Sequence, residues 1–514
     1  MRRYIVLFLL SITLAVGAIN TSIIHSPFNS LMSQIYQLNG GNYLWLNHPQ
    51  RLSKVVNALN NGYFNYKNKN FHRNKITQYI YALDSGSLNE YNKQKLDLLI
   101  TDAYLRLLHF IRVGDVNWNL VKRRIKQKHK KAVWQMHIKG MPSASVISKY
   151  IQSGRINALL QQSIGMQQRY KPYIDILQYY RKIPEFRKVP FGKTIKYKDR
   201  DKRIYQIKRR LLVLGYFPRT GKINRRFDRD LAFAVKKFRK AFNLREGYYI
   251  DNKLLAYINL PKSYYINKII TNLDKTKLYP PRFENTYLEV NVPEFMLRFY
   301  QNGSEVFKTN AVVGMVDRPT PLFDDYLEYI VINPTWNVPQ SLIKKDLAPA
   351  IKEYPNVFEM AHLKAYQGKK EISAEQAKKI ILKYEHSKKR VPLQIVQTPG
   401  EHNALGKVKF MFPNKYAVYI HDTPEKGLFA HKYRYNSSGC VRIEEPLTLL
   451  SYLSPYLKGD YESALNSQKT THIRLKRKIP VHIVYFTLEF EDDGSPKFMY
   501  DAYGYDEIIE KSRR

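Results

Sequence analysis

The sequence predicts a multidomain α+β chain: a helical N-terminal region, a small three-helix unit, and a mostly-β C-terminal domain carrying a helical insertion. Three observations lead there. Before residue 192, apolar residues recur at helical spacing, most clearly in Lys95–Ile111 with Leu96, Leu99, Ile100, Ala103, Tyr104 and Leu107. From about Phe283 to Asp506 the period changes to two. Between them, residues 203–261 show helical stripes separated by Gly215, Gly221 and Gly247.

The elements follow in order. Met1-Arg2-Arg3 is a short positive segment, Ile5 to Val16 is apolar, and Gly17-Ala18 are small. That is the layout of a secretory signal peptide over residues 1–18. The apolar run falls short of the roughly 20 residues of a membrane span. The expectation is an exported protein, either cleaved after Ala18 or held at the membrane by an uncleaved anchor. Residues 29–192 read as a helical scaffold domain, with Tyr36, Tyr43 and Trp45 as core and no evident chemistry. In residues 203–261, Ile204, Ile207, Leu211 and Leu214 mark a first helix, which Gly215 ends as a C-terminal glycine. Phe227, Leu231, Val235 and Phe238 mark a second helix, and Leu254 and Leu255 a third.

In the C-terminal domain, Tyr287–Val292 and Glu294–Tyr300 read as strands, and Asn302-Gly303 turns the chain into Glu305–Val313. Tyr329–Ile332 and Lys415–His421 continue the series, and Val481–Phe490 with Lys497–Asp501 form a last hairpin. Residues 344–398 are charged and largely helical, with Ser373 and Gln376 in a capping-box pattern. Such an insertion is either a lid over a cleft or a surface excursion.

Lys and Arg number 85 against 43 Asp and Glu, a net charge of +42 over 514 residues. This favours an anionic partner, unless the surface is merely solvated and basic. The charge is spread along the chain, and its densest run, Lys122 to Lys131, carries no nucleic-acid-binding motif. With an export signature, anionic cell envelope is the expected partner rather than nucleic acid. The histidines are scattered, no paired Cys/His spacing appears, and no Gly-rich phosphate loop is present. No metal and no cofactor are expected.

Cys440 is the sole cysteine, so it has no internal disulfide partner. It sits in Ser437-Ser438-Gly439-Cys440-Val441-Arg442. A glycine before a nucleophile permits a tight turn that aims successive backbone N–H groups at one point, an oxyanion hole. His421 ends an alternating strand whose other face carries Val418 and Ile420, so it shares a side with Tyr419. A histidine there can reach a thiol on the next element, lower its pKa and protonate a leaving amine. On these residues alone, a buried structural thiol fits as well.

The wider wording points further. Asn403-Ala404-Leu405-Gly406-Lys407-Val408-Lys409-Phe410, then His421, then Ser437-Ser438-Gly439-Cys440-Val441-Arg442 closely resembles the L,D-transpeptidase (YkuD-type) catalytic domain. Arg318-Pro319-Thr320-Pro321 and Asn333-Pro334-Thr335-Trp336-Asn337 also look like this family, and most like its large Gram-negative branch. Leu214-Gly215-Tyr216-Phe217, Gly221-Lys222-Ile223 and Ile250-Asp251 resemble a peptidoglycan-binding module; a generic three-helix spacer is the alternative. The resemblance implies a catalytic domain over residues 283–506 with an inserted lid, behind the scaffold and the wall-binding module.

It also implies roles. Cys440 would be the nucleophile, His421 the general base and acid, and the backbone of Ser438 and Gly439 the oxyanion hole. Arg442 would anchor a stem carboxylate, or hold the Cys loop through Glu444 or Glu445. Tyr419, Trp336, Asn403 and Ser437 are further candidates for substrate binding, with ordinary structural roles as alternatives; Asn403 could equally be a lid hinge. Many relatives carry His or Arg where Ser438 stands, so His421 is the expected base, ahead of His431. The implied reaction is acyl transfer from a peptidoglycan tetrapeptide stem, with loss of the terminal D-Ala, to a diamino-acid side chain, forming a 3–3 cross-link. Stem peptides and glycan strands would be the partners, with other cell-wall synthesis proteins as further candidates. Hydrolysis of the stem, attachment of an envelope protein to the wall, or a wall-binding scaffold with a decayed site are the rival readings.

Overall fold

The computed structural model describes residues 19–242 and 244–513. The expected signal segment, residues 1–18, lies outside them. Among the described residues, no helix is long and apolar enough to cross a membrane.

The N-terminal region is helical as expected. Its longest helix, α1 (Glu90–Arg112), starts at Asn89, whose side chain accepts the Asn92 amide. Leucines and isoleucines from Leu96 to Ile111 are buried around most of its circumference, so it is the centre of the region rather than an amphipathic surface helix. Asp97 on this helix is buried and accepts the amides of Leu44, Trp45 and Leu46 and the Tyr36 hydroxyl, which satisfies a polar group that burial would otherwise penalise. The last helix of the region is α2 (Gln167–Lys182).

The small unit holds three helices, Lys202–Val213, Arg229–Ala241 and Asn252–Ile258, capped by Asp201, Asp228 and Asp251. Gly215 follows the first with φ +81°, as the sequence requires. Next comes α3 (Lys262–Thr276), whose last six residues, Thr271–Thr276, are all buried. It lies between α2, the hairpin at Leu488–Phe498 and the C-terminal helix α4 (Tyr505–Glu510).

The C-terminal domain is built on nine strands: β1 (Tyr287–Asn291), β2 (Met296–Gln301), β3 (Ser304–Gly314), β4 (Asp324–Ile332), β5 (Val408–Met411), β6 (Ile420–His421), β7 (Tyr435–Ser437), β8 (Val441–Ile443) and β9 (Thr471–Val484). Their order is β7-β3-β8-β6-β5-β4-β9-β1-β2, and β2 also pairs with β3. The sheet therefore closes on itself, and Ile330, Phe410, Ile420, Val441 and Ile443 fill its buried face.

Two sequence expectations change. The strand expected over Lys415–His421 is only two residues long. Asn414 turns the chain first: its side chain accepts the amides of Tyr416 and Val418 and donates to the carbonyls of Phe412 and Val418. The insertion, expected as a helical lid over 344–398, is an α+β subdomain rooted earlier. Trp336–Asn337 pairs with Gln394–Gln397, which pairs with Leu363–Gln367, which pairs with Lys370–Ile372. Helices including Ala374–Tyr384 pack on this sheet around Ile343, Leu347, Phe358, Ile381 and Ile395. The sheet escapes sequence reading because its strands are two to five residues long and pair across large separations.

The insertion has its own apolar core, whereas scaffold, small unit and barrel share one continuous core. Buried ion pairs join the shared parts. Arg169 on α2 donates to both oxygens of Glu289 on β1, at 2.8 and 2.6 Å, and to Glu489 at 2.9 Å. Asp274 on α3 accepts from Tyr66 and Lys67 of the scaffold and from Arg513 near the C-terminus. Burial opposes its ionisation, but Lys277, Lys67 and Arg513 outweigh burial and hold its carboxyl below the usual range.

Removing one partner of such a pair leaves an uncompensated buried charge. Arg169→Met strands Glu289 and Glu489, and the expected loss of stability is about 3–5 kcal/mol, read from urea denaturation of the full chain.

Candidate active site

Strands β6 and β8 run parallel, with Ile420 opposite Val441 and His421 opposite Arg442. In a parallel pair, opposed residues share a face, and residues two apart share it too. Ile420, Val441 and Ile443 therefore point into the core, while Tyr419, His421, Cys440 and Arg442 line the other face. Antiparallel pairing of Lys409 with His421 adds Lys409 from β5 to that face.

The Cys loop is held from within. Gly439 has φ +120°, a region that L side chains rarely occupy. Buried Ser437 donates its hydroxyl to the Cys440 carbonyl at 2.5 Å and accepts the Gly439 amide at 3.1 Å. Ser437 thus shapes the loop. The Gly439 amide is spent on this bond, so it is not a free oxyanion donor in this conformation. The Ser438 and Cys440 amides have no internal acceptor among the described residues, and these two are the open donors.

His421 is 4% exposed. Its Nδ1 lies 2.5 Å from the Asp422 carbonyl. A carbonyl only accepts, so Nδ1 carries the proton and Nε2 is left as the acceptor. Asp422 itself is fixed by its carboxylate, which accepts the Lys407 and Thr423 amides and pairs with Lys426. Gly406 makes room for it, since a Cβ there would meet the Asp422 carboxylate at 2.2 Å. Burial lowers the His421 pKa to about 3; the Arg442 and Lys409 charges add to the effect, and the Asp422 bond opposes it.

Cys440 is partly exposed as a residue, and its Sγ contacts the Ala417 carbonyl at 3.8 Å. Burial of the sulfur raises its pKa above the ordinary thiol value, against the hydrogen bonds from Tyr419 and the charges of Lys409 and Arg442. This corrects the sequence expectation that a neighbouring histidine lowers it. The resting site holds a neutral thiol and a neutral imidazole on one face, because both charged forms pay for desolvation.

The remaining candidates divide. Tyr419 lies over the site, 5.4 Å from the His421 ring between centroids and under the Lys409 ammonium at 3.9 Å. Trp336 interacts with the Tyr419 side chain, at the root of the insertion. Arg442 donates to Glu425 at 2.6 Å, so its ion-pair partner is Glu425 and not Glu444 or Glu445. Its Nε is buried without a partner. Asn403 is fully occupied elsewhere: its amide donates to the carbonyls of Pro334, Gln397 and Thr398, and its oxygen accepts the Leu405 amide. It clasps both roots of the insertion and has no free group for a substrate.

Sequence reasoning missed two contacts made by residues near Cys440 in the chain or in space. Arg318 donates to Ser438 Oγ at 2.9 Å and to both oxygens of Asp346 at 3.2 Å, tying the Cys loop to the insertion. Lys432, between His421 and Cys440, donates to the carbonyls of Arg239 and Leu244 at the end of a helix of the small unit. Each bridges distant segments, and no local signal marks them.

Two outcomes follow. Between about pH 6.5 and about pH 3, the unfolded chain protonates this histidine and the folded protein does not. Stability conferred by the neutral ring is therefore lost as pH falls through that window. His421→Gln should show a shallower decline of Tm between about pH 6 and pH 4. Asn403→Ala removes four hydrogen bonds at the root of the insertion and should cost about 1–3 kcal/mol in thermal unfolding. It should leave alkylation of Cys440 within about twofold, which a substrate-binding or loop-shaping role for Asn403 does not require.

Comparison with known proteins accords with this geometry. Residues 285–481 match the L,D-transpeptidase catalytic domain (YkuD) model, and residues 30–174 match a Scaffold domain. A putative L,D-transpeptidase of Haemophilus influenzae is 32% identical over 245 residues, which are 47% of this chain and 48% of that protein. The chain thus spans about half the length of the curated relative it matches. An L,D-transpeptidase structure from Xylanimonas cellulosilytica is 13% identical, covering 57% of this chain and 99% of that one at a TM-score of 0.20. One from Stackebrandtia nassauensis is also 13% identical, covering 56% and 97% at 0.22. The site lies inside the segment that matches the L,D-transpeptidase catalytic domain model, which follows the segment that matches the Scaffold domain.

Proposed function

We propose that the protein is a peptidoglycan L,D-transpeptidase that forms 3–3 cross-links through Cys440. The observation that carries this is the register of β6 and β8, which presents His421 and Cys440 on one face of a domain of that family. In the proposed reaction, the donor is a tetrapeptide stem. Sγ attacks the carbonyl carbon at the L-centre of the diamino acid in position three, and His421 Nε2 takes the thiol proton. The amides of Ser438 and Cys440 hold the oxyanion; one such donor is worth about 3 kcal/mol. His421 returns the proton to the amine of D-Ala as the C–N bond breaks, leaving a thioester. The side-chain amine of a second diamino acid then attacks the thioester carbon, gives its proton to His421, and the thiol is restored.

Water must stay out while the thioester waits. The insertion, tied to the Cys loop through Arg318 and Asp346, suits that role. Half-used Arg442 suits a stem carboxylate, since guanidinium pairs with carboxylate in a fork. The three-helix unit is read as the wall-binding module, which would hold glycan near the site, and the basic surface suits an anionic envelope. Export to the periplasm, with or without an inner-membrane anchor, belongs to the same reading.

Intact-mass spectrometry of the chain from Ile19, mixed with disaccharide-tetrapeptide, tests it. The expected result is a stem adduct lacking D-Ala on the wild type, no adduct on Cys440→Ala, and cross-linked dimer in solution. An adduct that yields only tripeptide would make the enzyme a hydrolase. No adduct, with retained binding to sacculi, would leave a wall-binding scaffold.

A further inference from the structure

We infer that Lys409 is the counter-charge of the Cys440 thiolate, and that His421 serves as proton carrier only. The inference deepens the proposed function and rests on its reading of Cys440 as the nucleophile. Its first support is placement. Lys409 lies opposite His421 in the β5–β6 pair and so shares the face of the thiol. Its ammonium sits 3.9 Å from the centre of the Tyr419 ring, and the Tyr419 side chain in turn interacts with the thiol. Lysine and cysteine thus flank the same tyrosine.

The second support is the charge inventory around the sulfur. The titratable groups facing it are Lys409 from β5, Tyr419 just before β6, His421 from β6, Arg442 from β8, and Arg318 from the loop after β3 through Ser438. Arg442 is paired with Glu425, and Arg318 with Asp346. Burial, with the adjacent thiol adding to it, keeps the Tyr419 phenol protonated, and His421 is neutral above about pH 3. Lys409 is half-buried and has no carboxylate partner among the described residues. Among the described residues, it is the one cation on this face without an acidic neighbour.

The third support is the direction of its own titration. Burial lowers the Lys409 pKa and the Cys440 charge opposes that, so ammonium and thiolate stabilise each other. In the reaction, the thiol gives its proton to His421 Nε2 as sulfur attacks. When the thioester opens, the C–S bonding pair returns to sulfur. At both moments the anion has an ammonium beside it, and no charged imidazole is needed in the resting site.

Cys440 is the sole cysteine, so alkylation of the full chain by iodoacetamide across pH reports this thiol alone and needs no stem peptide. Lys409→Met should raise the apparent thiol pKa by about one unit, which slows alkylation at pH 7 about tenfold. Lys409→Arg should stay close to wild type, and His421→Gln should shift the profile little. Lys409→Gln repeats the test should the Met variant unfold, with near-UV circular dichroism checking each fold. The inference is overturned if the Lys409 variants titrate like wild type, or if His421→Gln shifts the profile as much as Lys409→Met. Failure of the transpeptidase reading would show instead as an absent stem adduct, with the alkylation profiles unchanged.

Discussion

Two opposed residue pairs, Ile420 with Val441 and His421 with Arg442, are what the candidate site depends on. A slip of one residue in this parallel register would turn His421 or Cys440 into the core and bring a core residue to the cleft. The register is held because Ile420, Val441 and Ile443 are completely buried on the opposite face. The hydrophobic packing of the barrel thereby sets the relative position of Cys440 and His421. Strand β3 closes the barrel beside β8, and its end carries the chain to Arg318, which reaches back to Ser438.

Desolvation sets the protonation state of that pair. Both thiol and imidazole are pushed toward their neutral forms, for one physical reason applied to groups of opposite charge type. Neutral forms spare the resting protein an ion pair in poorly solvated surroundings, and they leave Nε2 as an acceptor. The backbone carbonyl of Asp422 orients the ring, a task that side-chain carboxylates often perform. Because Asp422 uses its carboxylate to hold the Lys407 and Thr423 amides, one residue fixes both the ring and the loop that follows.

The rest of the chain supports the site mechanically. Scaffold, small unit and barrel share an apolar core and are cross-linked by buried charges at Arg169 and Asp274. Such pairs gain little net stability over apolar packing but penalise misplacement heavily, which suits a junction whose geometry must be kept. The insertion differs. It has a separate core and meets the barrel through its two roots, the Asn403 clasp and the Arg318–Asp346 pair. Its attachments are polar and local, so it is the part of the chain best built to shift relative to the barrel.

Local chemistry alone determined a good deal of this protein. Apolar spacing marked the buried residues of α1, Gly215 marked a helix end, and Asn302-Gly303 marked the β2–β3 turn. The motif around Gly439 marked the strained turn before Cys440. These features are legible because each depends on residues within a few positions of one another. Tertiary structure decided what depends on distant neighbours. Lys409 looks like any surface lysine of an alternating strand until β5 pairs with β6. Asn403 reads as a site residue until Pro334 and Gln397 arrive to take its amide, and Arg442 finds Glu425 only across the folded loop. The direction of the thiol pKa was hidden for the same reason. Sequence names the charges near a cysteine, but desolvation is a property of everything packed around it, and that exists only in the fold.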